Sequence, residues 1–312
     1  MRLERPRRVG FLPFSRPFPA TGCRGRRDGV NWREYQAKQR VAEIGDRFIS
    51  YVDEGSGDPV ILLHGMPTWG FLWHPLRSSL SGSHRVLIPD LIGYGYSDKR
   101  DGFDRSIAKQ AEAIHVWMEK IGMRRATFVG HDIGGGVALR LATLFPGRVD
   151  RLCLMNSVCY DSWPVEAILQ LGHPETRRRL SVRTAILLMK QGLKMGFTSS
   201  PSNDLLDSLL IPYATETGKL SLIRDAVAVD TNQTMEIVPL LQRITAPTLI
   251  LWGEDDRLQP VDYGERLAWD IPGARLIRIE QASHFVMIDQ PGEVERDLIP
   301  FLGGAKVERL AA

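Results

Sequence analysis

The chain has 312 residues, of which 43% are hydrophobic and 25% charged, and its net charge is +3. That is enough for one large α/β core with an inserted subdomain, and too little for two full-sized domains. The small net charge excludes an electrostatic case for nucleic acid or strongly acidic partners, and no run of about 18 apolar residues is present to suggest a membrane span.

Residues 1–31 are read as a basic N-terminal tail. Arg7 and Arg8 before Val9, Gly10 and Phe11 have the outline of a twin-arginine export signal. The apolar run is short and Arg16 interrupts it, so a disordered tail or an early start codon is expected instead. Folded structure is expected from about Trp32. A strand is predicted over 47–53, and a short, fully apolar run follows over 59–63, as suits a strand buried on both faces. Runs of the same character recur at 85–88, 126–129, 152–155, 248–251 and 275–279, with helical stretches at 107–121 and 135–144 between them. Such alternation predicts a doubly wound, mostly parallel sheet with helices on both faces. It breaks after Asn156. Helix-like stretches at 165–171, 175–192, 203–210 and 220–241 then run on without strand signals. The expected organisation is a core of 32–156 and 237–312, with a helical cap of 157–236 over the sheet's carboxyl edge. Cys23, Cys153 and Cys159 fit neither a disulfide framework nor a zinc site, and they leave a cytoplasmic setting as the expectation. Cys153 and Cys159 are read as small buried hydrophobes.

Four motifs carry chemistry. The first is Gly130-His131-Asp132-Ile133-Gly134, where an apolar strand runs into a glycine-flanked turn and a helix opens. This is the layout of a nucleophile elbow with Asp132 at the nucleophile position. Taken alone, it also fits a glycine-rich turn with Asp132 as a helix cap. The second is His64-Gly65-Met66-Pro67-Thr68-Trp69, a loop placed to supply an oxyanion-hole N–H. The donors would be the backbones of Met66 and Ile133. The third is Gly253-Glu254-Asp255-Asp256, an acid after a late strand, and the fourth is His284-Phe285 after the last one. Nucleophile, acid and histidine thus occur in the order this layout uses.

Over residues 32–303 the sequence resembles the α/β-hydrolase superfamily. Gly130-His131-Asp132 resembles its haloalkane dehalogenase and epoxide hydrolase branches. The His64–Trp69 motif with Leu72-Trp73, and Asp90-Leu91-Ile92-Gly93-Tyr94-Gly95, are more similar to haloalkane dehalogenases. The resemblance implies that Asp132 attacks an electrophilic carbon to form an ester, and that His284, oriented by Asp256, activates water to hydrolyse it. The family's spacing selects Asp256 over Asp255. Asn156 stands where one dehalogenase subgroup carries its acid.

The sequence departs from that pattern where the leaving group would be held. Ile133 replaces a tryptophan donor beside the nucleophile, and Met66 replaces an asparagine in the loop. The cap offers Trp163 as a donor, and Tyr160 and Tyr213 as acids for epoxide opening. Ile133 and Gly136 also replace the arginine that fluoroacetate dehalogenases use. Arg177, Arg178 and Arg179 read as a solvated cap face. The pocket is expected to be mostly apolar, lined by Met66, Trp69, Phe71, Ile133, Phe285 and cap residues. No metal or organic cofactor is implied. The expected partners are a small apolar organic substrate and water, with the chain a monomer or homodimer. Carbon–halogen hydrolysis leads, epoxide hydrolysis to a diol is the alternative, and a non-catalytic binding member is a lesser one.

Overall fold

The computed structural model describes residues 31–175 and 180–304. The expectations for the basic tail and for Arg177–Arg179 lie outside the described residues. The described residues open with helix α1 (Trp32–Ala37) and strand β1 (Arg40–Ile44), and continue into β2 (Arg47–Glu54), β3 (Pro59–Leu63), helix α2 (His74–Ser81) and β4 (Arg85–Pro89). Helix α3 (Ile107–Lys120) precedes β5 (Ala126–Asp132), α4 (Ile133–Leu144) and β6 (Val149–Ser157). The late core comprises β7 (Thr248–Gly253), α10 (Val261–Asp270), β8 (Arg275–Ile279), α11 (Val286–Asp289) and α12 (Pro291–Leu302).

The eight strands of the described residues form one sheet in the order β1-β2-β4-β3-β5-β6-β7-β8. The β1–β2 and β2–β4 pairings are antiparallel, and every later pairing is parallel. The parallel part is the α/β-hydrolase arrangement, and its central strands are the apolar runs of the sequence. Val60, Ile61, Leu62 and Leu63 are all buried, as sequences covered on both faces require. Helices α3 and α4 pack together, with α4 on β5 and β6, while α2 and α12 pack together against β4 and β7. Strand β1 is absent from the expected pattern. It is a short edge strand whose residues are largely exposed apart from Ala42, so it lacks the apolar signature of the others.

Between β6 and β7 the described residues form helices: α5 (Glu166–Gly172), α6 (Val182–Lys194), α7 (Asn203–Leu210), α8 (Glu216–Val227) and α9 (Asn232–Met235), with helical turns at Ile211–Tyr213 and Val238–Arg243. The single helical stretch expected over 220–241 is thus broken into pieces. This segment is tied to the core by a buried ion pair. Arg105, on the loop before α3, donates from Nη1 to Asp225 Oδ1 of α8 at 2.7 Å and to Ser221 Oγ at 2.7 Å. Ser221 in turn donates to the Gly93 carbonyl at 2.6 Å. Cys153 and Cys159 are both buried and unpaired. Among the described residues no helix is long and apolar enough to cross a membrane.

Candidate active site

The carboxyl ends of β3, β5, β6 and β7 and the turn after β8 meet at Asp132. This residue sits at φ 52° and ψ −123°, a left-handed backbone that a non-glycine residue adopts only under tertiary constraint. The neighbouring glycines make the bend possible. A Cβ on Gly134 would overlap the Leu63 carbonyl and lie 2.6 Å from that of His64. A Cβ on Gly65 would overlap the Asp132 Cβ and lie 2.7 Å from its Oδ1. The His64-Gly65 loop and the start of α4 thus close on the aspartate from both sides.

The two Asp132 oxygens have different surroundings. Oδ1 accepts from the Met66 N–H at 2.8 Å, and the Ile133 N–H also donates to the carboxylate. Oδ2 faces His284 Nε2 at 3.7 Å. Burial raises the Asp132 pKa from its ordinary value, against the lowering effects of His284 and the two N–H groups.

The opposite nitrogen of His284 is fixed. Nδ1 lies 2.9 Å from Asp256 Oδ2. That carboxylate is fully enclosed by donors: Asn156 Nδ2 on Oδ2 at 2.7 Å, and the Leu258 and Gln259 N–H groups on Oδ1 at 2.7 and 3.0 Å. Burial pushes Asp256 up, but His284 and these donors together hold it below its ordinary value. Burial likewise opposes the charged form of His284, and the carboxylates of Asp256 and Asp132 outweigh it, so its pKa is raised. The imidazole is a base held between two carboxylates, with one nitrogen fixed and the other turned to Asp132.

Sequence reasoning missed three supports. Asn156, at φ 41°, donates to Asp256 and accepts from the Gly253 N–H at 3.2 Å. Its αL-tolerant residue type near the end of an otherwise apolar strand is a signal that could find it. His131, kept neutral by burial, holds the His284 carbonyl through Nε2 at 2.9 Å and lies with its ring 4.6 Å from that of His284. Asp289 accepts from the Ser283 N–H at 2.9 Å.

The expected cap donors are disposed differently. Phe285 is at the site, its ring 5.1 Å from that of His284. Trp69 and Phe71 are buried and stacked, and the Trp69 indole donates to the Ser208 carbonyl of α7 at 2.9 Å. The Trp163 indole donates to Thr234 Oγ1 at 2.8 Å. Tyr160 turns its hydroxyl to Asp270 on α10 at 2.7 Å, and its ring lies under Arg266. Tyr213 donates to the Thr68 carbonyl at 2.7 Å and accepts from the Gly95 N–H at 3.4 Å. Each of these polar hydrogens is committed within the protein. Among the described residues no group of three or more His, Cys, Asp or Glu could hold a metal ion.

A mostly parallel sheet, a strained strand–helix elbow and an enclosed acid–histidine pair define a hydrolase of the α/β-hydrolase fold. An alpha/beta hydrolase family model matches residues 60–297, and the chain belongs to that family. It is similar to haloalkane dehalogenase 2 of Mycobacterium tuberculosis, with 28% identity over 269 residues that span 82% of this chain and 91% of that one. Two solved structures share the fold. An ancestral haloalkane dehalogenase superposes with a TM-score of 0.75 at 21% identity, over 85% of this chain and 98% of its own. An epoxide hydrolase superposes with a TM-score of 0.76 at 20% identity, again over 85% and 98%.

Proposed function

We propose that the chain hydrolyses a carbon–halogen bond in a small apolar substrate, with Asp132 as nucleophile. Asp132 Oδ2 attacks the carbon, the carbon–halogen bond breaks, and the halide leaves with the bonding pair. An alkyl ester of Asp132 remains, its carbonyl oxygen on the Met66 and Ile133 N–H groups. Water then adds to the Asp132 carboxyl carbon as His284 Nε2 takes its proton. The same two N–H groups hold the tetrahedral oxyanion. Collapse returns the proton to the departing alkoxide and frees the alcohol.

The observation that carries this reading over the epoxide alternative is the commitment of both cap hydroxyls, Tyr160 to Asp270 and Tyr213 to Thr68. An epoxide oxygen leaves as a basic alkoxide, and general-acid assistance is worth about 10²–10⁴-fold to such a step. A halide is so weak a base that it departs without a proton. Similarity to haloalkane dehalogenase 2 supports the same choice. With the Trp69 and Trp163 indoles also engaged, bromides and iodides should be turned over well ahead of chlorides.

The test is a mixed panel of haloalkanes and epoxides, read for halide release and diol formation. Halide release from bromoalkanes without diol formation is the expected result. Diol formation alone would transfer the site to epoxides. Neither product from folded protein would leave a binding role in place of catalysis.

A further inference from the structure

His284 is held at three consecutive residues by groups that lie outside its own turn. Its carbonyl accepts from His131, as described above. The N–H of Phe285 donates to the Gly196 carbonyl at 3.0 Å. The N–H of Ser283 donates to Asp289 Oδ2 at 2.9 Å. Gly196 lies on the crossing between α6 and α7, and a Cβ there would stand 2.8 Å from the Phe285 ring and 3.1 Å from the His284 Cβ. The crossing therefore lies directly on the histidine turn. Phe197 adds a ring contact of 4.6 Å with Phe285.

The same oxygen of Asp289 also holds that crossing. Thr198 donates to Oδ2 from its N–H at 3.1 Å and from Oγ1 at 3.2 Å. One carboxylate oxygen thus collects donors from the turn that carries His284 and from the helical insertion. A carboxylate receiving backbone N–H bonds is a strong, short-range tie between the segments that supply them.

We propose that Asp289 is a positioning residue for the hydrolytic half of the reaction, locking the His284 turn to the crossing at 196–198 so that Nε2 keeps its place beside Asp132. The inference rests on the mechanism proposed above. In that mechanism Asp132 attacks without help from His284, and the imidazole enters only when water attacks the ester. Loosening the turn therefore slows the second half-reaction and spares the first. Misplacement by about 1 Å can cost on the order of 10²-fold in a step that depends on alignment.

The location also favours a folded variant. A surface cavity of ≈ 270 Å³ borders Asp289, lined in part by Phe197, Ser199, Pro201, Leu205 and Gln290. In Asp289→Ala, solvent in that cavity can hydrate the N–H of Thr198, which also lines it, and this limits the loss of stability.

The experiment follows both half-reactions with a primary bromoalkane. Rapid quench reads the first turnover of bromide release, steady-state assay reads turnover, and intact mass reads the covalent ester. For Asp289→Ala, first-turnover bromide release should stay within about threefold of wild type. Steady-state turnover should fall by about 10- to 100-fold, with most of the enzyme carrying the adduct. Asp289→Asn retains an acceptor oxygen and should fall between the two. Unchanged turnover, or an equal loss in both half-reactions without adduct, would overturn the proposal. His284→Gln is the reference: if it too collects no adduct on Asp132, the mechanism itself fails rather than the role of Asp289.

Discussion

Asn156→Ala separates the support of the acid from the chemistry of the base. Asn156 contributes two buried hydrogen bonds, one to the Asp256 carboxylate at 2.7 Å and one from the Gly253 N–H at 3.2 Å. A bond to a charged group is worth about 1.5–3 kcal/mol and a neutral one about 0.5–1.5 kcal/mol, so the loss is about 2–4.5 kcal/mol. For a domain of this size that is roughly 3–8 °C in Tm. The sign with pH follows from Asp256, whose folded pKa lies below its ordinary value. Such a group stabilises the fold above the unfolded carboxyl pKa and stops doing so as pH falls through the lower, folded value. The gap between wild type and variant should be full at neutral pH and should narrow as the carboxylate protonates. Urea unfolding followed by circular dichroism, from neutral pH down towards pH ~3, measures it. A destabilisation under about 1 kcal/mol at neutral pH, or a gap constant with pH, would refute the view that Asn156 acts through the Asp256 charge.

Gly65→Ala places a methyl group into Asp132 itself, so its carboxylate must leave the Met66 N–H; under the proposed reaction, halide release should drop by at least about 10²-fold. Full activity in that variant would mean the loop yields freely. Only neutral His284 can accept the proton of water, and its pKa is raised above 6.5 by the Asp256 and Asp132 carboxylates against burial. Turnover should therefore climb with pH as the imidazole loses its proton, with Asp256 alone supporting the charged form once Asp132 is esterified; turnover that falls as pH rises contradicts this. Protonated His284 also stabilises the fold, fully below the unfolded pKa and decreasingly as pH rises through the folded one. Asp225→Ala removes the counter-ion of the buried Arg105 guanidinium and leaves it only the neutral oxygens of Ser221, Lys99 and Arg100; a cost of about 3–5 kcal/mol is expected, with α8 becoming sensitive to limited proteolysis. An unfolding midpoint equal to wild type would show that the ion pair contributes little.

The elbow and the loop at Gly65 are legible because local backbone geometry dictates their glycines, whereas Asp256 and His284 are picked out by their chain order and by the spacing of the family the sequence resembles. Gly134 is glycine because the Leu63 and His64 carbonyls leave no room, and that requirement is visible without knowing what Gly134 touches. Asn156 and Asp289 act otherwise. Asn156 works through a partner 100 residues away and Asp289 through one 91 residues away, and no periodicity reports such a pairing. Strand β1 escaped for a different reason, since an exposed edge needs no apolar alternation. The cap tyrosines show the limit from the other side. The sequence names two phenols, but the direction of each hydroxyl depends on whether Asp270 or the Thr68 carbonyl is within reach.

The fully committed indoles and phenols have a consequence for traffic through the site. A cage of free N–H and O–H donors that welcomes a departing anion also retains it, and competes for the same ion when the surroundings are salty. Here Trp69, Trp163, Tyr160 and Tyr213 have spent their hydrogens on the protein. Under the proposed reaction none of these four side chains has a hydrogen left with which to hold the halide. In that reaction these four side chains would neither assist the bond-breaking step nor retain its ionic product.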